Sequence, residues 1–152
     1  MNDQANKKFT IQKIYLKDAS FESPGSPASF GQKPWDPKID LNMNNSHETI
    51  GENQYEVVLR ITLTASHNDE TTFLIEVQQA GIFQISGFTD DELKYLLSSQ
   101  CASQLFPYAR EQVSDMTVRG GFPPLLLSPV NFDALYQQSL QQQKQKQGAV
   151  EH

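Results

Sequence analysis

The residues that could do chemistry in this chain are three histidines, one cysteine and a scatter of carboxylates, and their spacing works against catalysis. His47 and His67 fall in polar stretches, and His152 is the last residue. No His-x-x-x-His or Cys-x-x-Cys pair occurs, so the sequence offers no ligand set for a metal. Cys101 keeps helical spacing with Leu97 and Leu105, which makes it a core residue rather than a nucleophile. Gly25 and Gly31 are followed by Gln32, not by Gly-Lys-Ser/Thr, so there is no phosphate loop and no expectation of ATP use. Carboxylate pairs stand only where helix caps and turns would use them. Acid, base and nucleophile are nowhere assembled. The reading is a binding protein, not an enzyme, with no cofactor and no metal.

Composition narrows the partners. The chain has 152 residues, enough for one domain with a real core, and a net charge of −6 without a Lys/Arg cluster. Such a surface disfavours nucleic acid and suits basic partners. A lone cysteine allows no internal disulfide and fits a reducing compartment. The first residues, Met-Asn-Asp-Gln-Ala-Asn-Lys-Lys, have no apolar stretch behind their charges, and no run approaches a membrane span. The expectation is a cytoplasmic protein that does not enter the membrane.

The element that must organise any binding surface runs from Tyr55 to Ile85. Tyr55, Val57, Leu59, Ile61, Leu63 and Ala65 alternate with polar residues. After a polar turn at 67–70, Phe73, Ile75 and Val77 alternate with Thr72, Glu76 and Gln78. Period-two alternation predicts half-buried strands, here a long antiparallel hairpin. Two residues break the pattern. Leu74 stands on the polar face beside Glu76, which suits a docking surface. Gln79 stands among aliphatics, which suits a wet subunit contact.

Around this hairpin, residues 1–8 read as a flexible N-terminus and Phe9–Phe21 as a strand. Phe9, Ile11 and Tyr15 share one parity and Ile14 and Leu16 the other, so both faces of that strand are expected to be covered or paired across a subunit boundary. Asp18, Ser20 and Glu22 line one side of its end. Residues 23–37 form a long loop that holds four of the eight prolines together with Phe30 and Trp35, two aromatics that either pin the loop or line a groove. Ile39, Leu41 and Met43 alternate in a short strand over 38–44, and 45–54 reads as turn. Thr89-Asp90-Asp91-Glu92 is a capping box, and Leu93, Leu96, Leu97, Cys101 and Leu105 follow at helical spacing. Pro107 is expected to kink this helix or to start a second one. Gly120-Gly121 can end it. Asn131 caps a last helix with Phe132, Leu135, Tyr136 and Leu140 on one face, and a Gln/Lys-rich tail at 141–152 is expected to be mobile.

Several of these runs resemble one family. Ile14-Tyr15-x-Lys17-Asp18, Phe21-Glu22-x-Pro24, Tyr55-Glu56-Val57-Val58-Leu59-Arg60, Glu76-Val77-Gln78-Gln79-x-Gly81-Ile82-Phe83, Leu105-Phe106-Pro107-Tyr108-Ala109-Arg110-Glu111 and Pro129-Val130-Asn131-Phe132-Asp133-Ala134-Leu135 look like SecB, the bacterial protein-export chaperones, in order across 9–140. The resemblance implies an α+β subunit: a four-stranded antiparallel sheet with helices packed on one face, paired through the first strand and assembled as a dimer of dimers. It implies an ATP-independent chaperone that holds unfolded precursor proteins in the cytosol and delivers them to the SecA motor at the translocon. By the same resemblance Asp18, Glu22, Leu74 and Glu76 match positions that dock SecA, and Ile75, Val77 and Gln79 match positions that affect tetramer packing. Phe30, Trp35, Ile39, Leu41, Met43, Leu135 and Tyr136 are the candidates for client binding. The family's C-terminal contact with SecA has little to align with in the tail of this chain. A carrier of small apolar ligands using a Phe30/Trp35 pocket is the alternative.

Overall fold

Two alternating runs build the hairpin at the centre of the sheet. In the computed structural model, which describes residues 6–150 (side chains to 146), β3 spans Gln54–His67 and β4 spans Glu70–Ser86. Asn68 and Asp69, both at positive φ, make the two-residue turn between them. Paired left-handed residues give that turn a twist matching the strands, and Asn and Asp tolerate the conformation best after glycine. β1 (Lys8–Glu22) and β2 (Lys38–Gly51) flank the hairpin, giving one antiparallel sheet in the order β1-β4-β3-β2.

One face of the sheet is the core. Val57, Leu59, Ile61, Leu63, Phe73, Ile75, Val77 and Phe83 are all buried on it. Leu97, Cys101, Leu105, Ala109 and Val113 cover them from the helical side. Each large side chain removed from water contributes about 1.5–3 kcal/mol, so this face holds the subunit together. Burial also pushes the Cys101 thiol up to about 12, which keeps it protonated and unreactive.

The helical layer begins with the expected capping box. Thr89 Oγ1 accepts from the Glu92 amide at 3.2 Å, and Glu92 accepts from the Thr89 amide at 3.0 Å. α1 (Asp90–Tyr95) passes through one wide turn of π geometry at Leu96–Gln100 into α2 (Cys101–Arg119). Pro107 lies inside α2 and starts no new helix. It and Ser103, whose carbonyl it leaves without a donor, both face solvent, where water can serve that carbonyl. α2 ends at Gly120-Gly121. Gly121 has φ +91°, and the amides of Gly121 and Phe122 donate back to Val118 and Thr117. That pair of bonds satisfies the last carbonyls of the helix and needs a residue without a Cβ at the left-handed position.

Two expectations are corrected. The second strand does not stop at 44 but runs to Gly51. Residues 46–50 are all exposed, so no alternation marks that stretch. The first strand does not have two apolar faces. It carries two β-bulges, between Ile11 and Lys13 and between Leu16 and Asp18. Each bulge shifts the parity, so Phe9, Ile11, Ile14, Leu16, Ala19 and Phe21 all stand on the helix side, while Tyr15 faces away. The last helix continues past Leu140 into the tail. Asn131 caps it through its side chain, 3.0 Å from the Ala134 amide, and α3 runs from Phe132 to Val150. Residues 1–5 of the N-terminal segment and 151–152 of the tail lie outside the described residues.

Candidate binding surfaces

Two surfaces of different chemistry emerge, one on each side of the sheet. On the face away from the helices, register decides which side chains stand together. Asp18 pairs with Gln78, Ser20 with Glu76 and Glu22 with Leu74, and directly paired residues share a face. The four candidates for docking, Asp18, Glu22, Leu74 and Glu76, therefore form one patch across β1 and β4. Asp18, Glu22 and Leu74 are exposed, and Glu76 is half-buried. Arg60 Nε approaches Glu76 to 3.8 Å, a loose surface pair that leaves the carboxylate open. The patch is an apolar side chain with Glu22 and Glu76 beside it and Asp18 farther along the same face, suited to a partner with basic groups around an apolar contact.

Farther along this face, Glu56 on β3 collects two donors from β1. Lys17 Nζ lies 2.8 Å from its Oε1, and the Tyr15 hydroxyl donates to its Oε2. The Lys17 bond, then the Tyr15 bond, hold the Glu56 carboxyl below its usual range. Burial, then Glu56, pushes the Tyr15 phenol up to about 12, so it stays a donor.

On the helix side, an open groove of about 460 Å³ runs between β2 and α3. Met43, Leu59, Phe132, Leu135, Tyr136 and Leu140 give it an apolar floor and wall, with Asn44, His47 and Lys94 at its rim. Of the seven client candidates it takes Met43, Leu135 and Tyr136. Phe30 and Trp35 sit apart, on an aromatic platform around Phe122. Their rings lie 5.1 and 5.3 Å from that of Phe122, which rests on Phe73 at 5.0 Å. Phe30 is 49% exposed and Trp35 36%, so the loop is pinned by these rings and still presents them to solvent. Ile39, Leu41 and Met43 share the helix-side face of β2 between the two patches; Ile39 and Met43 pack on the core, and Leu41 is 42% exposed. A four-residue span of strand covers about 13 Å, so β2 links platform and groove into one discontinuous apolar band.

Ile75, Val77 and Gln79 stand elsewhere. All three are buried beneath α2 within the subunit, and Gln79 is no wet surface contact: its amide donates to the Tyr15 carbonyl at 3.0 Å. Sequence reasoning missed Phe122, the centre of the platform. Its signal was Gly-Gly-Phe-Pro-Pro, an aromatic held between a helix stop and two prolines.

The family model described as preprotein translocase subunit SecB matches residues 2–143. The chain belongs to the SecB family. Its sequence is 54% identical over 145 residues to a protein-export protein SecB of Nitrosococcus oceani, covering 95% of this chain and 88% of that one. It is 50% identical to a protein-export protein SecB of Methylococcus capsulatus, covering 99% and 97%. The fold is similar to that of a SecB-like chaperone of Mycobacterium tuberculosis solved in complex with a ChAD peptide from the HigA1 antitoxin. That likeness has a TM-score of 0.69 at 21% identity and covers 84% of this chain and 93% of that one. At that identity it speaks for the SecB fold alone.

Proposed function

We propose that this SecB protein is an export chaperone that holds unfolded preproteins on its apolar band and passes them to SecA through the acidic patch on the opposite face. The observation that carries the reading is the band itself: Phe30, Trp35, Leu41 and Leu135 stay open to water beside a groove with an apolar floor. A chaperone must bind loosely and broadly. One large side chain buried contributes about 1.5–3 kcal/mol. Micromolar capture needs about 8 kcal/mol after the ordering of a flexible chain has been met. Several client side chains must therefore engage together, across platform, strand and groove, and across copies of the subunit. A folded protein does not expose such a stretch and is spared.

The same reading takes the subunit into a dimer through β1 and a dimer of dimers through α2. It is supported by Ile11 and Leu16, 38% and 45% exposed on an edge strand, and by Tyr108 and Val118, exposed on α2. It is a cytoplasmic reading without nucleotide or cofactor. The test is aggregation of a chemically denatured precursor, diluted with and without the protein in nucleotide-free buffer. Suppression near one tetramer per precursor supports the reading, and unchanged light scattering sinks it. A stoichiometric small apolar ligand in native mass spectra would favour the carrier instead.

A further inference from the structure

The core leaves one feature of β1 undetermined. Leu16 and Ala19 both belong on the helix side, and two residues separate them, Lys17 and Asp18. The apolar pattern asks only that one of the two be extra; it does not say which. The same ambiguity holds for Gln12 and Lys13, between Ile11 and Ile14. In both bulges the residue left out of the pairing is the one whose side chain crosses β4 and holds β3. Gln12 accepts from Gln54 at 3.0 Å and donates to Gln84 at 3.2 Å. Lys17 donates to both oxygens of Glu56, at 2.8 and 3.0 Å. Ala80, paired with Tyr15 on one side and Val58 on the other, is small enough for side chains to pass over it.

The direction of the Lys17 side chain matters for the acidic patch. Glu56 lies opposite Ile82, whereas Asp18 lies opposite Gln78, four residues along β4. The ammonium is thus drawn back toward Tyr15, away from Asp18 and Glu76. We propose that Glu56 is a positioning residue for the acidic docking face: by clamping Lys17 in the bulge it sets Asp18 opposite Gln78 and keeps the Asp18 carboxylate clear of its neighbour's charge. The inference rests on the docking reading given above, and the clamp itself can be tested without SecA.

The Asp18→Cys/Gln78→Cys pair reports the register directly. Paired residues in antiparallel strands bring Cα atoms to about 4.5–5.5 Å, within disulfide reach, and the native Cys101 is buried. Under mild oxidation the disulfide yield is expected to fall about three- to fivefold when Glu56→Ala is added, the effect of losing a partly exposed ion pair. SecA affinity is expected to fall by a similar factor in Glu56→Ala alone, to survive Lys17→Arg, and to show no further loss when Glu56→Ala is placed in a Lys17→Ala background. Equal disulfide yields with and without Glu56 overturn the proposal. So does a Glu56→Ala loss of affinity that persists in full without Lys17, since that would be a general structural effect. If Asp18→Ala binds SecA like the parent chain, the docking reading falls, and the disulfide yields still decide the clamp.

Discussion

The Tyr95 hydroxyl donates to Asp133 Oδ1 at 2.8 Å and ties the end of α1 to the first turn of α3. Ser99, buried in the wide turn that follows α1, donates to the same oxygen, and the rings of Tyr95 and Tyr136 lie 5.7 Å apart. Asn45 on β2 donates to the Ser98 carbonyl at 2.7 Å. The wide turn is thus held from both sides of the groove between β2 and α3, and it aims Ser99 at the helix that forms the groove's outer wall.

The Ser99 bond, then the Tyr95 bond, hold the Asp133 carboxyl below its usual 3.8. A carboxyl with a lowered folded pKa adds stability above its unfolded pKa and loses it as pH falls through the folded one. α3 should therefore loosen as pH drops below about 4, and Asp133→Asn should remove that share of the pH dependence while loosening α3 at neutral pH. Hydrogen exchange over residues 132–146, compared between parent and variant, checks this. Identical α3 protection in the two chains at every pH would contradict it.

Gly121 joins helix termination to the aromatic platform. At φ +91° any other L residue is strained, and a Cβ there would stand 2.9 Å from the Phe30 ring. Gly121→Ala should cost about 1–2 kcal/mol of subunit stability and push Phe30 off Phe122. Thermal unfolding reads the first effect. The second appears as weaker capture of clients rich in aromatic residues, with the acidic face untouched.

How much of this was legible in the sequence depended on whether a signal was local. Alternation from Tyr55 to Val77 set the central hairpin, and Thr89, Glu92 and Asn131 marked both helix starts correctly, because each of these works through neighbours in the chain. The bulges of β1 were written as a spacing of two, three, two, three, two from Phe9 to Phe21. That spacing reads as two faces unless the extra residues are assigned, and their partners, Gln54 and Glu56, lie on another strand. Gln79 broke the apolar pattern because it serves a carbonyl beside a bulge, which only the pairing of β1 with β4 discloses. Residues 46–50 of β2 carried no periodic signal, since all of them are exposed. Alternation in β4 marked Leu74 as an exception on the polar face, while its grouping with Asp18 and Glu22 needs the β1–β4 register; the candidates for client binding divide between two places that chain order cannot bring together.

Charge should dominate the contact with SecA. Glu22 and Glu76 flank Leu74 on an exposed sheet face, and Asp18 stands farther along it. Reversing one carboxylate, as in Glu76→Lys, should weaken SecA binding about tenfold or more at low salt and by less as salt screens the patch. Leu74→Ala should weaken it with little salt dependence, because the loss is apolar area. Affinities measured across a salt series separate the two. Equal salt slopes for both variants would contradict the arrangement.

Client capture should draw on platform, strand and groove together. Leu41 and Leu135 are 42% and 49% exposed, so changing them to aspartate empties no part of the core. Each side chain that a client covers contributes at most about 1.5–3 kcal/mol, and partial burial brings a single loss to about three- to thirtyfold in affinity. Trp35→Ser belongs to the same set, although its ring also rests on Phe122 at 5.3 Å and its loss will cost the loop some order. If the band acts as one surface, Trp35→Ser and Leu135→Asp should weaken binding of a long unfolded chain nearly additively, since the two residues sit in different patches, the platform and the groove. A short peptide, unable to span both patches, should respond to one variant and not the other. Titrations of a long and a short fluorescent client against both single variants and the double variant, with native mass confirming unchanged assembly, decide it. A short peptide that loses equally from both variants would mean one compact pocket rather than a band.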